Sequence, residues 1–115
     1  MDTVDRVAVI GAGLAGAEAS LVLASQGIPV DLYEMRPGKM TPAHTTGAPA
    51  ELVCSNSLKS LALHTAHGVL KKELEILSSP LIAAAKSSAV PAGTALAVDR
   101  ARFSNAVLDM IAAVP

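Results

Sequence analysis

One stretch near the N-terminus constrains this chain more than any other: Arg6-Val-Ala-Val-Ile-Gly-Ala-Gly-Leu-Ala-Gly-Ala-Glu-Ala. Four apolar residues, Val7 to Ile10, read as a buried strand. The turn that follows, Gly11, Ala12, Gly13, Leu14, Ala15 and Gly16, has the G-x-G-x-x-G spacing of a dinucleotide-binding fingerprint. Gly11 allows a sharp turn after the strand. Gly13 leaves room for a pyrophosphate against the backbone, and Gly16 lets the helix lie close to the strand. That helix would point its unpaired N–H groups and positive dipole end at the phosphates.

Glycine spacing alone would also suit an ordinary βα turn, so the surroundings decide. A helical run from Leu14 to Ser25 follows, and Gly27 stands where a helix C′ glycine would. Ile28-Pro-Val-Asp-Leu-Tyr-Glu34 then reads as a second strand with an acid at its end. Glu34 lies 18 residues after Gly16, near the spacing of about 20 expected for a ribose-binding carboxylate. A carboxylate there disfavours a 2′-phosphate. Arg36 has three readings: pairing with a phosphate, lying over an adenine face, or a solvated loop arginine.

The fold class that follows is α/β, a Rossmann-like, doubly wound parallel sheet. The 115 residues suffice for one domain at most. Residues 1–115 read as the N-terminal part of a dinucleotide-binding domain, because they supply two clear parallel strands and a candidate third where five or six are usual. A fragment of a longer protein is therefore expected. Aromatic residues make up only 2%, so the core must come from Val, Leu, Ile and Ala. A net charge of −1 gives no global electrostatic case for nucleic acid. A single cysteine rules out an intrachain disulfide and suits a reducing cytoplasm. The acidic N-terminus and the glycine-broken apolar run fit neither a signal peptide nor a membrane span.

Further along, Arg36 to Pro49 carries three prolines and two glycines and reads as a long loop. Ser55 or Asn56 is placed to N-cap a short helix. Gly68 to Ser78 has helical periodicity, Pro80 interrupts it, and a second short helix runs to Ser88. Ala95–Val98 is a candidate short strand. Asp99 can cap a last helix whose buried face carries Phe103, Val107 and Ile111.

Cys54 is the only thiol. At a helix start its pKa would fall; on composition and spacing alone, a small buried packing residue is the favoured reading. His44, His64 and His67 have no zinc-like spacing with Cys54, and no metal is expected. Lys59, Lys71 and Lys72 read as solvated helix faces, and Asp99-Arg100 as a cap and a charge.

Five segments taken together make the chain more specific: Val9-Ile-Gly-Ala-Gly-Leu-Ala-Gly-Ala-Glu18, Tyr33-Glu-Met-Arg-Pro37, Met40-Thr-Pro-Ala-His44, Glu51-Leu-Val-Cys-Ser-Asn-Ser-Leu58, and Val90-Pro-Ala-Gly through Ala95-Leu-Ala-Val-Asp-Arg100. With them the chain closely resembles the folate- and FAD-dependent tRNA (uracil-5-)-methyltransferases, the TrmFO family, from about Val7 to Val107. It departs at Thr94, where a second glycine is usual, and at Pro49, where an aromatic is usual. The resemblance implies a cytoplasmic flavoprotein. It would move a one-carbon unit from 5,10-methylenetetrahydrofolate to C5 of a T-loop uridine in tRNA, with NAD(P)H as reductant. By motif, Gly11 to Gly16 would hold the FAD pyrophosphate and Glu34 the adenosine ribose. Arg36 would belong to the same cofactor site, and Cys54 would be catalytic beside the flavin. Two other readings stand beside it. One is a sister flavoprotein that builds carboxymethylaminomethyl groups on wobble uridine, against which the Cys-Ser-Asn-Ser-Leu segment speaks. The other is a non-catalytic partial FAD-binding fragment.

Overall fold

Strand β1 (Val7–Ile10), helix α1 (Leu14–Ser25) and strand β2 (Val30–Tyr33) form the expected βαβ unit. The structure is a computed structural model and describes residues 5–115. β1 and β2 pair in parallel, Val7 opposite Val30 through Ile10 opposite Tyr33. The Gly11 amide extends this ladder by donating to the Tyr33 carbonyl at 2.7 Å. At the outer end, Arg6 Nε donates to Asp31 at 2.9 Å.

Two glycines of the turn are required by geometry. Gly11 sits at φ +100°, a conformation that L side chains rarely adopt. At Gly16 a Cβ would lie 1.7 Å from the Gly11 carbonyl oxygen, so helix and strand meet backbone to backbone. Gly27 takes φ +76° just past the helix, as a helix-ending glycine should.

The rest of the chain departs from the expected sheet. Residues 57–60 are not helical. They form strand β3 (Ser57–Ser60), followed by helices α2 (Ala66–Ile76) and α3 (Pro80–Ser87), strands β4 (Ala89–Val90) and β5 (Ala95–Val98), and helix α4 (Arg100–Ala112). β3, β5 and β4 make a separate antiparallel sheet in that order. The candidate third strand therefore exists as β5 but does not extend the parallel sheet. The reason lies in its ends. Val98 donates to the Asn56 carbonyl at 2.9 Å, and the Asn56 side chain donates back to the Val98 carbonyl at 3.2 Å. Neither Ser55 nor Asn56 caps a helix, because both serve this strand pairing and its turn; Ser55 Oγ accepts from the Ser57 amide at 3.2 Å.

Helix starts follow local side-chain chemistry. α2 begins two residues earlier than periodicity suggests, because Thr65 Oγ1 accepts from the Gly68 amide at 3.0 Å. Gly68 is thus inside the helix, where a Cβ would lie 1.9 Å from the Ala62 carbonyl oxygen. Ser79 caps α3 with Pro80 in its first turn. Glu18 of α1 adds a carboxylate at that N-terminus, accepting from the Leu81 amide at 3.1 Å. Asp99 caps α4 as expected, accepting from the Arg102 amide at 3.0 Å.

The core joins these pieces. Ala17 and Leu21 of α1 pack with Leu81, Ala84 and Ala85 of α3, Leu96 and Val98 of β5, and Phe103 and Val107 of α4. Ile111 lies partly buried against the same cluster. Alanine at the α1–α3 contact lets the two helices lie close. Among the described residues, no helix is long and apolar enough to cross a membrane.

Gly16→Ala is expected to destabilise the chain by about 2 kcal/mol or more, the cost of forcing a methyl into closed packing. Urea unfolding of the intact protein reads this; an unchanged midpoint would show that the turn relaxes freely.

Candidate nucleotide site

The site is built where β1 and β2 end. Helix α1 starts at Gly13, in extended conformation, with no side chain capping it and no acid in its first turn. A Cβ built on Gly13 would meet nothing within 4 Å. The first N–H groups of α1 therefore face open space beside the turn, with Leu14 and Ala15 exposed next to them. An uncapped helix start with open space above it suits an anion.

Glu34, just past the end of β2, stands beside this turn. Its Oε2 accepts from Arg36 Nη2 at 2.8 Å and Nε at 3.2 Å. Its Oε1 accepts from the Arg36 amide at 3.4 Å. The Arg36 guanidinium holds the Glu34 carboxyl below the usual carboxylate range against the opposing effect of burial, with the Arg36 and Ala12 amides assisting. Oε2 is thus gripped by the guanidinium, while the Ala12 amide ties the carboxylate to the glycine turn.

Arg36 is not a solvated loop residue; it is 5% exposed. Beyond its two bonds to Glu34, Nη1 donates to the Thr46 carbonyl at 3.0 Å and to Glu51 Oε2 at 2.8 Å. Nη2 also donates to the Ala48 carbonyl at 3.1 Å. All five N–H groups of the guanidinium are used inside the chain. None remains for a phosphate.

Glu51, which the sequence reading did not single out, closes this network. Its Oε1 accepts from the Thr45 amide at 3.0 Å, the Thr45 hydroxyl at 2.9 Å and the Thr46 amide at 3.1 Å. Burial pushes the Glu51 carboxyl up, but the Thr45 and Thr46 donors and the Arg36 charge outweigh it, and the net shift is downward. The loop from Arg36 to Leu52 is fixed at two more points. The Ala50 amide donates to the Ala12 carbonyl at 2.8 Å, and Arg100 Nη1 donates to the Leu52 carbonyl at 3.2 Å. Arg100 is therefore more than a charge after the cap. No local signal marks Glu51, since its partners lie 5, 6 and 15 residues away.

Cys54 is exposed in the bend between this loop and β3. The helix start expected beside it is absent, and the thiol is not the buried packing residue that composition favoured. The structure brings Gly11–Gly16, Glu34 and Arg36 together; Cys54 lies beyond the far end of the loop that Arg36 anchors. Among the described residues, no group of His, Cys, Asp and Glu is placed to hold a metal. His44 instead pairs its Nδ1 with the Thr41 hydroxyl at 2.6 Å.

A second concave region, of about 450 Å³, opens beside the exposed start of α1. Leu14, Leu58, Leu70, Leu74 and Ile82 make it apolar, and Lys71 stands in its wall. Lys71 is 7% exposed and donates to the Ser60 and His67 carbonyls, both at 3.2 Å. It is not the solvated lysine expected from the sequence, and burial pushes its ammonium pKa down.

A parallel βαβ unit with a glycine turn, an open helix start and a strand-end carboxylate defines a Rossmann-like α/β chain. The chain matches the family described as Glucose inhibited division protein A over residues 6–115, and it belongs to that family. It is 56% identical over 111 residues to the Methylenetetrahydrofolate--tRNA-(uracil-5-)-methyltransferase TrmFO of Lactobacillus delbrueckii subsp. bulgaricus, covering 96% of this chain and 25% of that protein. The protein of the same name from Enterococcus faecalis is 56% identical over 110 residues, with the same coverage. That of Bacillus pumilus is 61% identical over 105 residues, covering 91% of this chain and 24% of the relative. The chain thus spans about a quarter of the length of these relatives.

Because Glu34 and Glu51 have folded-state pKa values below those of an unfolded chain, their stabilising effect is complete above the ordinary carboxylate pKa of about 4.3. It is lost as pH falls from there through the lower folded values. Thermal unfolding between pH 6 and pH 2 should show this acid loss, and Arg36→Met should shrink it. An equal acid loss in both proteins would mean that the network does not set it.

Proposed function

We propose that this chain supplies the FAD-binding βαβ unit of a methylenetetrahydrofolate-dependent tRNA (uracil-5-)-methyltransferase. The geometric support is the open, uncapped start of α1 beside the Glu34 carboxylate. The reaction is the one for which relatives 56–61% identical to this chain are named. That name favours methyl transfer over the building of carboxymethylaminomethyl groups.

In this reading the amides of Gly13, Leu14 and Ala15 meet the FAD pyrophosphate, with Gly11 and Ala12 shaping the turn and Gly16 holding the helix against it. Glu34 Oε1 accepts from the adenosine ribose. Arg36 serves the cofactor through Glu34, because its own donors are already engaged. Bound and reduced, FAD would supply the electrons that convert a transferred methylene into a methyl group, after reduction by NAD(P)H. Cys54, exposed on its bend, is the chain's candidate catalytic thiol, acting as nucleophile, base or guard of the reacting carbon. The folate and T-loop tRNA contacts belong, in this proposal, largely to the three-quarters of the relatives' length that the chain does not match. A polypeptide limited to these residues would perform no methyl transfer. The reading places the protein in the cytoplasm.

Gly13→Val is the direct test of the nucleotide site. In the intact protein it should abolish FAD binding, because a branched side chain would fill the space above the turn. A normal flavin absorption spectrum in that variant would refute the site.

Cys54→Ala tests the thiol separately. The exposed side chain carries little packing, so fold and FAD content should persist. Formation of 5-methyluridine in unmodified tRNA should fall, or the flavin spectrum during turnover should change. If both match the unmutated enzyme, Cys54 has no part in the chemistry.

A further inference from the structure

Glu51 does more than fold a loop. We propose that Glu51 is a positioning residue for the nucleotide site, holding Arg36 so that Glu34 presents a single, charged oxygen to the adenosine ribose. This rests on the FAD reading above and adds a residue to it.

Three observations carry the inference. First, Arg36 spans the two carboxylates, with Nη1 on Glu51 and Nε and Nη2 on Glu34. A guanidinium is a planar fork, so fixing one edge fixes the other. Second, both Arg36 side-chain bonds to Glu34 fall on Oε2, so the guanidinium leaves Oε1 to backbone amides and to a ligand. Third, Glu51 is itself immobilised, because its other oxygen takes three donors from Thr45 and Thr46. The relay runs from a loop turn through Glu51 and Arg36 to Glu34.

Charge adds to geometry. Arg36 alone would neutralise Glu34 and weaken it as an acceptor. With Glu51 sharing the guanidinium, the trio keeps one net negative charge, and Glu34 remains a charged acceptor. Charged acceptors make stronger hydrogen bonds than neutral ones. Removing the Glu51 charge should therefore free Arg36 to draw Glu34 inward and weaken the ribose contact specifically.

The test compares two ligands in the intact protein: FAD, and an FAD analogue whose adenosine ribose lacks the 2′-hydroxyl. Binding is followed by quenching of flavin fluorescence. The unmutated protein should prefer FAD by about tenfold, the scale of one charge-assisted hydrogen bond. Glu34→Gln should remove that preference. Glu51→Gln should reduce it to about threefold or less, chiefly by weakening FAD and leaving the deoxy analogue near its original affinity. A purely structural role would weaken both ligands equally and leave the preference intact, and that result overturns the proposal. If Glu51→Gln does not fold, Glu51→Asp is read in the same way, since it keeps the charge but draws the carboxylate back from Arg36. A reduced preference supports the relay, and an unchanged one overturns it. Failure of the underlying reading looks different: the unmutated protein would show no preference, and Glu34→Gln would change nothing.

Discussion

The guanidinium of Arg36 is the contact on which the candidate site depends. A cation buried this far needs its charge compensated and its N–H groups satisfied, or the desolvation cost is large. Two carboxylates and two carbonyls do both. Because those partners come from the end of β2 and from the loop ten to fifteen residues on, one side chain determines where a proline-rich loop lies. The loop then reaches the glycine turn, where the Ala50 amide meets the Ala12 carbonyl. Pairing, burial and loop placement are one event here, and the loop's bonds across the turn leave the start of α1 open.

The second dependence is on small residues. Gly16 against the Gly11 carbonyl, and Ala17 with Ala84 and Ala85, allow α1 to touch both the parallel strands and the helices that carry the antiparallel sheet. With a single phenylalanine at the centre, the core has few large side chains. Close approach of backbones takes the place of aromatic bulk, which is why single methyl additions are costly there.

Local chemistry made much of this legible in advance. β1, α1, β2, β5, the α3 start at Pro80 and the Asp99 cap each formed where patterning places it, and the two helix caps rest on contacts within a few residues. The glycine turn is of the same kind. So is Gly27, whose positive φ ends a helix by local sterics alone. Where a local cue failed, a competing partner had taken the residue. Asn56 could have capped a helix, but it pairs with Val98, 42 residues away. Thr65, rather than Gly68, sets the start of α2 because its hydroxyl reaches the third amide onward.

By itself, the sequence determined the βαβ unit, the exposed helix start and the acid beside it, because strand–turn–helix geometry is dictated by φ preferences, periodicity and glycine sterics over short range. Only the tertiary structure decided that β5 belongs to an antiparallel sheet, that Lys71 is buried, that Cys54 is exposed on a bend, and that Arg36 is a hub served by Glu51. The β5 pairing and the Arg36 hub depend on partners distant in sequence. Burial and ion pairing are properties of the assembled interior, where a charge keeps its place only if the fold brings acceptors to it.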